Sequence, residues 1–99
     1  MISNNLTIFI IDAIRKHIPF AHYRVFYFGS RVNGKSTPRS DFDVGIEAEQ
    51  KIPLDLLARI EEMLDEIPIL QKIDLVDFSR VSREFAFEAR KAIEIIDER

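Results

Sequence analysis

The sequence predicts a small α/β (α+β) domain in which a mixed sheet of three to four strands is flanked by helices. Three runs of β-branched and aromatic residues are typical of strands, and apolar residues recur at helical spacing before and between them. A strand, helix, strand order with a crossover favours neighbouring strands on a sheet covered by helices. With 99 residues, 46% of them hydrophobic, we expect a single domain over residues 1–99.

Two helices are predicted before the third strand. The first runs from a cap at Ser3 or Asn4 to about His17. Its apolar stripe is Leu6, Phe9, Ile10, Ala13 and Ile14. The second begins at Pro53, which suits the first turn of a helix, and is terminated by Pro68. Its apolar stripe is Leu54, Leu57, Ile60, Leu64 and Ile67.

Three strands are predicted, followed by a tail that begins as a helix. The strands span about 24–28, 42–47 and 72–78. Ser82 is a plausible N-cap of the tail helix, whose inner stripe includes Phe85 and Ala89. Residues 92–96 either continue this helix or form a short fourth strand. Phe87 and Ile95 fall outside the stripe and are candidates for an exposed apolar partner surface.

Composition and charge exclude several classes of protein. A net charge of −3 and a pI near 5.4 argue against a broad nucleic-acid-binding surface. The chain has no cysteine, which removes disulfides, thiolate metal sites and cysteine nucleophiles. Residues 1–5 lack the basic start of a secretory signal, and no stretch approaches the length of a membrane span. We therefore expect a soluble, cytoplasmic protein.

A glycine–serine turn follows the first strand. Gly29 allows the backbone to approach a ligand closely, and Ser30 offers a hydroxyl and an N–H at the start of a short helical turn, where anions bind well. The loop that follows is basic, with Arg31, Lys35 and Arg39. This composition is suited to phosphate.

Asp41 and Asp43 lie two residues apart at the start of the second strand. In a strand both carboxylates leave the same face, with Cα atoms about 6.6 Å apart. Two carboxylates about 6 Å apart repel by roughly 2.8 kcal/mol at an effective dielectric of 20. Water can spread that charge, in which case the pair is only a solvated polar face, or a cation can sit between the groups. Beside a phosphate loop, oxygen ligands suit Mg²⁺ bound with a nucleotide.

Asp74 stands in the otherwise apolar third strand. An unpaired carboxylate in such surroundings is costly, so its presence needs a reason. Facing Asp41 and Asp43 across the sheet, it would complete a three-carboxylate cation site. The alternative is that Asp74 pairs with Lys72 or Arg80. Asp77 lies on the opposite face of the strand and is interpreted as a loop-end residue.

These residues resemble the motif of the DNA polymerase β nucleotidyltransferase superfamily, which is Gly-Ser, ten residues, then two Asp each followed by an apolar residue. Within the superfamily they are similar to the minimal nucleotidyltransferase (MNT) proteins, which add an Arg and a Gly after the Gly-Ser pair and a Ser before the acidic pair. The matching residues are Gly29, Ser30, Arg31, Gly34, Ser40, Asp41 and Asp43. A third carboxylate between apolar residues is expected on a later strand, and Asp74 fits. The chain departs from the usual pattern at Val32, Val44 and Gly45, positions that concern loop packing rather than ligands.

The resemblance implies a small nucleotidyltransferase fold that uses ATP and two Mg²⁺ ions. It implies that Asp41, Asp43 and Asp74 are the catalytic residues and metal ligands. It implies nucleotide binding by Gly29, Ser30, Arg31 and Ser40. In HEPN/MNT toxin–antitoxin pairs the MNT member transfers AMP to a tyrosine of the HEPN ribonuclease, so a HEPN partner and an antitoxin role are implied.

Other functions stay open at this point. The acceptor can be a small hydroxyl compound such as an antibiotic, or the chain can be a non-catalytic module that masks a toxin. The intact carboxylates and Gly-Ser pair weigh against the masking module. The sequence fixes neither the nucleotide nor the acceptor, and it leaves homo- and hetero-oligomers open.

Overall fold

The computed structural model describes residues 4–99, and its element order confirms the predicted α/β class. The helices are α1 (Asn4–His17), α2 (Ser30–Asn33), α3 (Leu54–Asp65) and α4 (Arg83–Ala89). The strands are β1 (Tyr23–Phe28), β2 (Phe42–Ala48), β3 (Ile73–Asp77) and β4 (Glu94–Glu98). The tail therefore ends in a fourth strand, the second of the two alternatives for residues 92–96. The proposed cap at Ser3 lies outside the described residues.

The four strands form one mixed sheet in the order β3-β2-β1-β4. β1 is antiparallel to both β2 and β4, whereas β2 and β3 are parallel. A parallel pair needs a crossover connection, and α3 supplies it. The backbone N–H of Phe42 donates to the carbonyl of Lys72 at 2.9 Å, so the first residues of β2 and β3 are held side by side.

The two faces of the sheet carry two separate apolar clusters. Because side chains alternate along a strand, Val25 and Tyr27 point to one face of β1, and Phe26 and Phe28 point to the other. The larger cluster joins the first face to α1 and α3. The smaller cluster lies under α4 and consists of Phe26, Phe28, Phe78 and Ala86. Most of the buried surface is thus on the α1/α3 side.

The structure corrects three of the predicted buried positions. Phe9 is 57% exposed, Leu54 is 67% exposed and Phe85 is 43% exposed, and the buried residue of α4 is Ala86. The buried face of α1 uses Ile10 and its neighbours one and two turns away, which leaves Phe9 on the flank. Leu54 is the first residue of α3, and the fully buried Ile52 in the preceding loop belongs to the larger apolar cluster. Phe87 and Ile95 are exposed, as predicted.

The part of the chain that the structure covers contains no helix long and apolar enough to cross a membrane.

Asp77 is a buried structural carboxylate, which the sequence analysis missed. Its Oδ1 accepts hydrogen bonds from the Ser79 N–H and hydroxyl at 2.9 and 2.7 Å. Its Oδ2 accepts from the Ile52 N–H at 3.2 Å and from Arg80 Nε at 3.1 Å. Burial acts to raise the pKa of this carboxyl, but the hydrogen bonds outweigh it and hold the pKa below its usual value. Asp77 therefore ties the end of β3 to the loop that leads into α3.

We expect Asp77→Asn to lower the free energy of unfolding by about 2–3 kcal/mol, because it removes a charged acceptor from one buried and three partly buried hydrogen bonds. Since the folded pKa is depressed, the stabilisation is present above the unfolded value and is lost as the pH falls through the folded pKa. The difference between wild type and variant should therefore narrow below about pH 4. Urea titrations of both proteins at several pH values measure this difference in the free energy of unfolding.

The matched control is Glu88→Gln, which breaks an exposed ion pair with Lys91. It should change stability by less than about 0.5 kcal/mol. An Asp77→Asn protein as stable as this control would contradict the assigned role.

Candidate active site

The chain reverses at Gly29, between β1 and α2. Gly29 has φ 78° and ψ −153°, and its carbonyl accepts the first bonds of the helix from the N–H groups of Val32 and Asn33, at 3.1 and 3.0 Å. α2 ends after one turn at Gly34, which has a left-handed φ of 83°. Both glycines adopt backbone angles that other residues rarely take. The predicted turn after the first strand is confirmed.

The carboxylate of Asp43 packs directly against Gly29. Phe28 and Asp43 are register partners on β1 and β2, which places the residue after Phe28 beside the Asp43 side chain. A Cβ built on Gly29 would overlap Asp43 Oδ2. A side chain at position 29 would therefore displace the carboxylate, and glycine is needed for contact as well as for the turn.

The structure places the three predicted acidic residues at the same end of the sheet. Asp43 and Asp74 are register partners on the parallel strands β2 and β3, so their side chains leave the same face. Asp41 is exposed and lies just before β2. The pKa of Asp43 is raised, first by burial and then by the charges of Asp74 and Asp41. The strand register therefore sets Asp43 beside Asp74, and Asp41 lies two residues before Asp43 in the chain.

Asp74 also forms an ion pair with Lys72, which is one of the pairings left open above. Lys72 Nζ lies 3.3 Å from Asp74 Oδ1. The pKa of the Lys72 ammonium is raised by this hydrogen bond and by the charge of Asp74, with smaller contributions from Asp41 and Asp65. Arg80 pairs with Asp77 instead. Across residues 4–99, no three acidic, histidine or cysteine side chains are arranged as a ready-made metal cluster.

Arg31 and Ser40 clamp the loop between α2 and β2. Arg31 Nη2 donates to the Ser40 carbonyl at 2.6 Å, and its guanidinium carbon lies 4.3 Å from the centre of the Phe42 ring. The Ser40 hydroxyl accepts from the Thr37 N–H at 2.8 Å. The loop in front of Asp41 is thus fastened on both sides. The motif predicts that Arg31 and Ser40 bind nucleotide. Their role in holding the loop could not be derived from the motif.

A groove of about 480 Å³ opens next to Gly29, between α2 and α4. Phe28 and Phe85 line it with aromatic surface, and their rings meet edge to face with centres 6.0 Å apart. Lys35 and Lys91 contribute two ammonium groups. The sequence analysis did not assign Phe85 or Lys91 to the site, because only the fold brings α4 beside the glycine–serine turn.

Known proteins share both the sequence pattern and this architecture. The family model described as "Polymerase beta, Nucleotidyltransferase" matches residues 10–99. A probable protein adenylyltransferase, MntA of Haemophilus influenzae, is 39% identical over 79 residues, which are 78% of this chain and 68% of the relative.

Solved structures extend the similarity to the fold. A chain in a crystal structure of a toxin–antitoxin complex with AMP-PNP superposes with a TM-score of 0.68 at 22% identity, over 92% of this chain and 72% of its own length. A structure of tri-AMPylated Shewanella oneidensis HEPN toxin in complex with MNT antitoxin gives a TM-score of 0.65 at 20% identity, over 94% and 70%. The sheet and helices described above are therefore those of the nucleotidyltransferase fold. The resemblance drawn from the motif is confirmed, and this chain belongs to the polymerase β nucleotidyltransferase family.

Proposed function

We propose that this chain transfers AMP from ATP to a tyrosine hydroxyl of a HEPN toxin and acts as its antitoxin. The observation that carries the proposal is the packing of the Asp43 carboxylate on Gly29, with Asp74 as its register partner. The H. influenzae relative is named a probable protein adenylyltransferase, and one similar structure contains an AMPylated HEPN toxin with an MNT antitoxin. Both support an acceptor that is a protein.

The donor set fits Mg²⁺. The pKa of Asp43 is raised by burial and by Asp74 and Asp41, so a cation placed among the three carboxylates would relieve a repulsion that the fold imposes. Carboxylate oxygens are the ligands that Mg²⁺ prefers. Asp41 and Asp43 would hold one ion, and Asp74 would join them in holding a second after releasing Lys72. When bound, such ions stabilise negative charge on the attacking and leaving oxygens of phosphoryl transfer.

The nucleotide is proposed to lie along the turn and the groove. Gly29 and Ser30 would contact the β- and γ-phosphates, and the nucleoside would occupy the groove against Phe28 and Phe85. Lys35 would neutralise phosphate charge. Arg31 and Ser40, which the motif also assigns to nucleotide binding, act here by holding the loop that presents Asp41.

Asp74 is proposed to accept the proton of the acceptor hydroxyl. The acceptor oxygen then forms a bond to the α-phosphorus of ATP, and the bond from that phosphorus to the bridging oxygen breaks. Pyrophosphate leaves, and the acceptor keeps AMP as a phosphodiester. Asp74 suits this task because it is partly exposed at the start of β3, where a hydroxyl can reach it.

The direct test is transfer of label from ATP to a HEPN protein. The purified chain, Mg²⁺, α-labelled ATP and the protein encoded by the neighbouring gene are incubated, and the label is located by peptide mapping. We expect label on a tyrosine and loss of ribonuclease activity. A stable complex without label would favour the masking module, and label on a small alcohol alone would favour the second acceptor class.

Asp43→Asn should abolish transfer yet raise the melting temperature of the metal-free protein. The pKa of Asp43 is higher in the folded than in the unfolded protein, so ionised Asp43 destabilises the fold at pH values above its unfolded pKa. The stability gained by Asp43→Asn should therefore disappear as the pH falls below about 4. We expect a gain of at most about 1 kcal/mol, because solvent screens the partly exposed group. Glu49→Gln, at an exposed turn carboxylate, should change neither transfer nor stability. Full activity in Asp43→Asn would refute the assignment.

Gly29→Ala and Gly34→Ala separate the backbone effect from the contact with Asp43. Both place alanine at a positive φ and should each lose roughly 1 kcal/mol of stability. Only the Cβ at position 29 meets Asp43, since nothing lies within 4 Å of a Cβ at position 34. We expect transfer to fall at least 100-fold in Gly29→Ala and less than threefold in Gly34→Ala. Equal losses in single-turnover assays would contradict the proposed contact.

A further inference from the structure

Lys72 is held beside the proposed metal ligands by its backbone as well as its side chain. It immediately precedes β3, and its carbonyl accepts a hydrogen bond from the N–H of Phe42, the residue between Asp41 and Asp43. Its ammonium lies 3.3 Å from Asp74 Oδ1. The Lys72 side chain is 69% exposed, so it can leave this position without breaking a packed contact.

The surroundings of this lysine are acidic. A polar cavity of about 360 Å³ is lined by Glu61 and Asp65 of α3 together with Lys72 and Asp74. Asp41 adds a further carboxylate from the β2 side. The ammonium therefore stands where negative charge from three parts of the chain converges, which is also where a divalent cation would be attracted.

We propose that Lys72 is a positioning residue that acts as a built-in counter-ion, occupying the cation position at Asp74 until a nucleoside triphosphate arrives. The inference rests on the proposed function. In the nucleotide-free protein, a divalent cation that binds Asp74 must displace the Lys72 ammonium. The cation is then repelled by this ammonium, which stays nearby. A triphosphate changes this balance because its negative charge attracts both the metal and the displaced ammonium. Binding of the ion at Asp74 is thereby coupled to binding of substrate.

The test measures Mg²⁺ binding to the nucleotide-free protein, so it does not depend on catalysis. Lys72→Met keeps most of the apolar stem and removes the charge. We expect it to bind Mg²⁺ about 30-fold more tightly than wild type, by calorimetry and by the rise in melting temperature with Mg²⁺, since the repulsion between a unit charge and a divalent ion about 4 Å away in water has an effect of that size. Lys72→Arg keeps the charge and should behave as wild type. In the presence of AMP-PNP, the difference between Lys72→Met and wild type should shrink below twofold.

Lys51→Met is the matched control. It removes the same charge beyond the other end of β2, away from the carboxylates, and should leave Mg²⁺ affinity within twofold of wild type. If Lys72→Met gains no more affinity than Lys51→Met, or binds Mg²⁺ more weakly than wild type, the counter-ion role is overturned. If neither wild type nor any variant shows saturable Mg²⁺ binding with or without AMP-PNP, the metal assignment of the proposed function fails as well, and the two failures are thereby distinguished.

Discussion

The close packing of the Asp43 carboxylate on Gly29 is the constraint on which the candidate active site depends. The antiparallel register of β1 and β2 sets Phe28 opposite Asp43, so the chain must turn directly beside a carboxylate. A residue with a side chain cannot occupy that place, and glycine also supplies the positive φ that the turn into α2 needs. Gly29 therefore meets two requirements, the positive φ of the turn and the close contact with the Asp43 carboxylate.

Asp43 and Asp77 are carboxylates whose pKa values are shifted in opposite directions. Asp77 receives four hydrogen bonds, which hold its pKa below the usual value despite burial. Burial raises the pKa of Asp43, and its acidic neighbours raise it further. A fold selected only for stability would not gather these charges. The opposite directions of the two pKa shifts therefore agree with a site that awaits a cation.

Local structure and the motif residues could be predicted from the sequence because both depend on residues that are close together in the chain. Alternation and helical spacing located the strands and helices, and the Gly-Ser and Asp-x-Asp patterns located Gly29 and Asp43. The pairing of Asp43 with Asp74 was expected from the family motif, but the other contacts between distant segments were not predictable. The bond from Ile52 to Asp77 joins residues 25 positions apart, and the aromatic wall of the groove forms only after α4 folds over β1. The exposure of Phe9 likewise depends on which side of α1 meets the sheet.

The unequal covering of the two faces explains where the groove can form. α1 and α3 bury one face over most of its area, whereas α4 has only seven residues and covers the aromatic cluster alone. Gly45 lets the rings of Phe26 and Phe78 lie flush on β2, because a Cβ there would come within 2.7 Å of both. α4 is thereby anchored beside β1 while the end of the sheet that carries Asp43 and Asp74 stays open. Most of the apolar burial that stabilises the fold lies on the α1/α3 face of the sheet. The other face can therefore hold charged groups that weaken the fold.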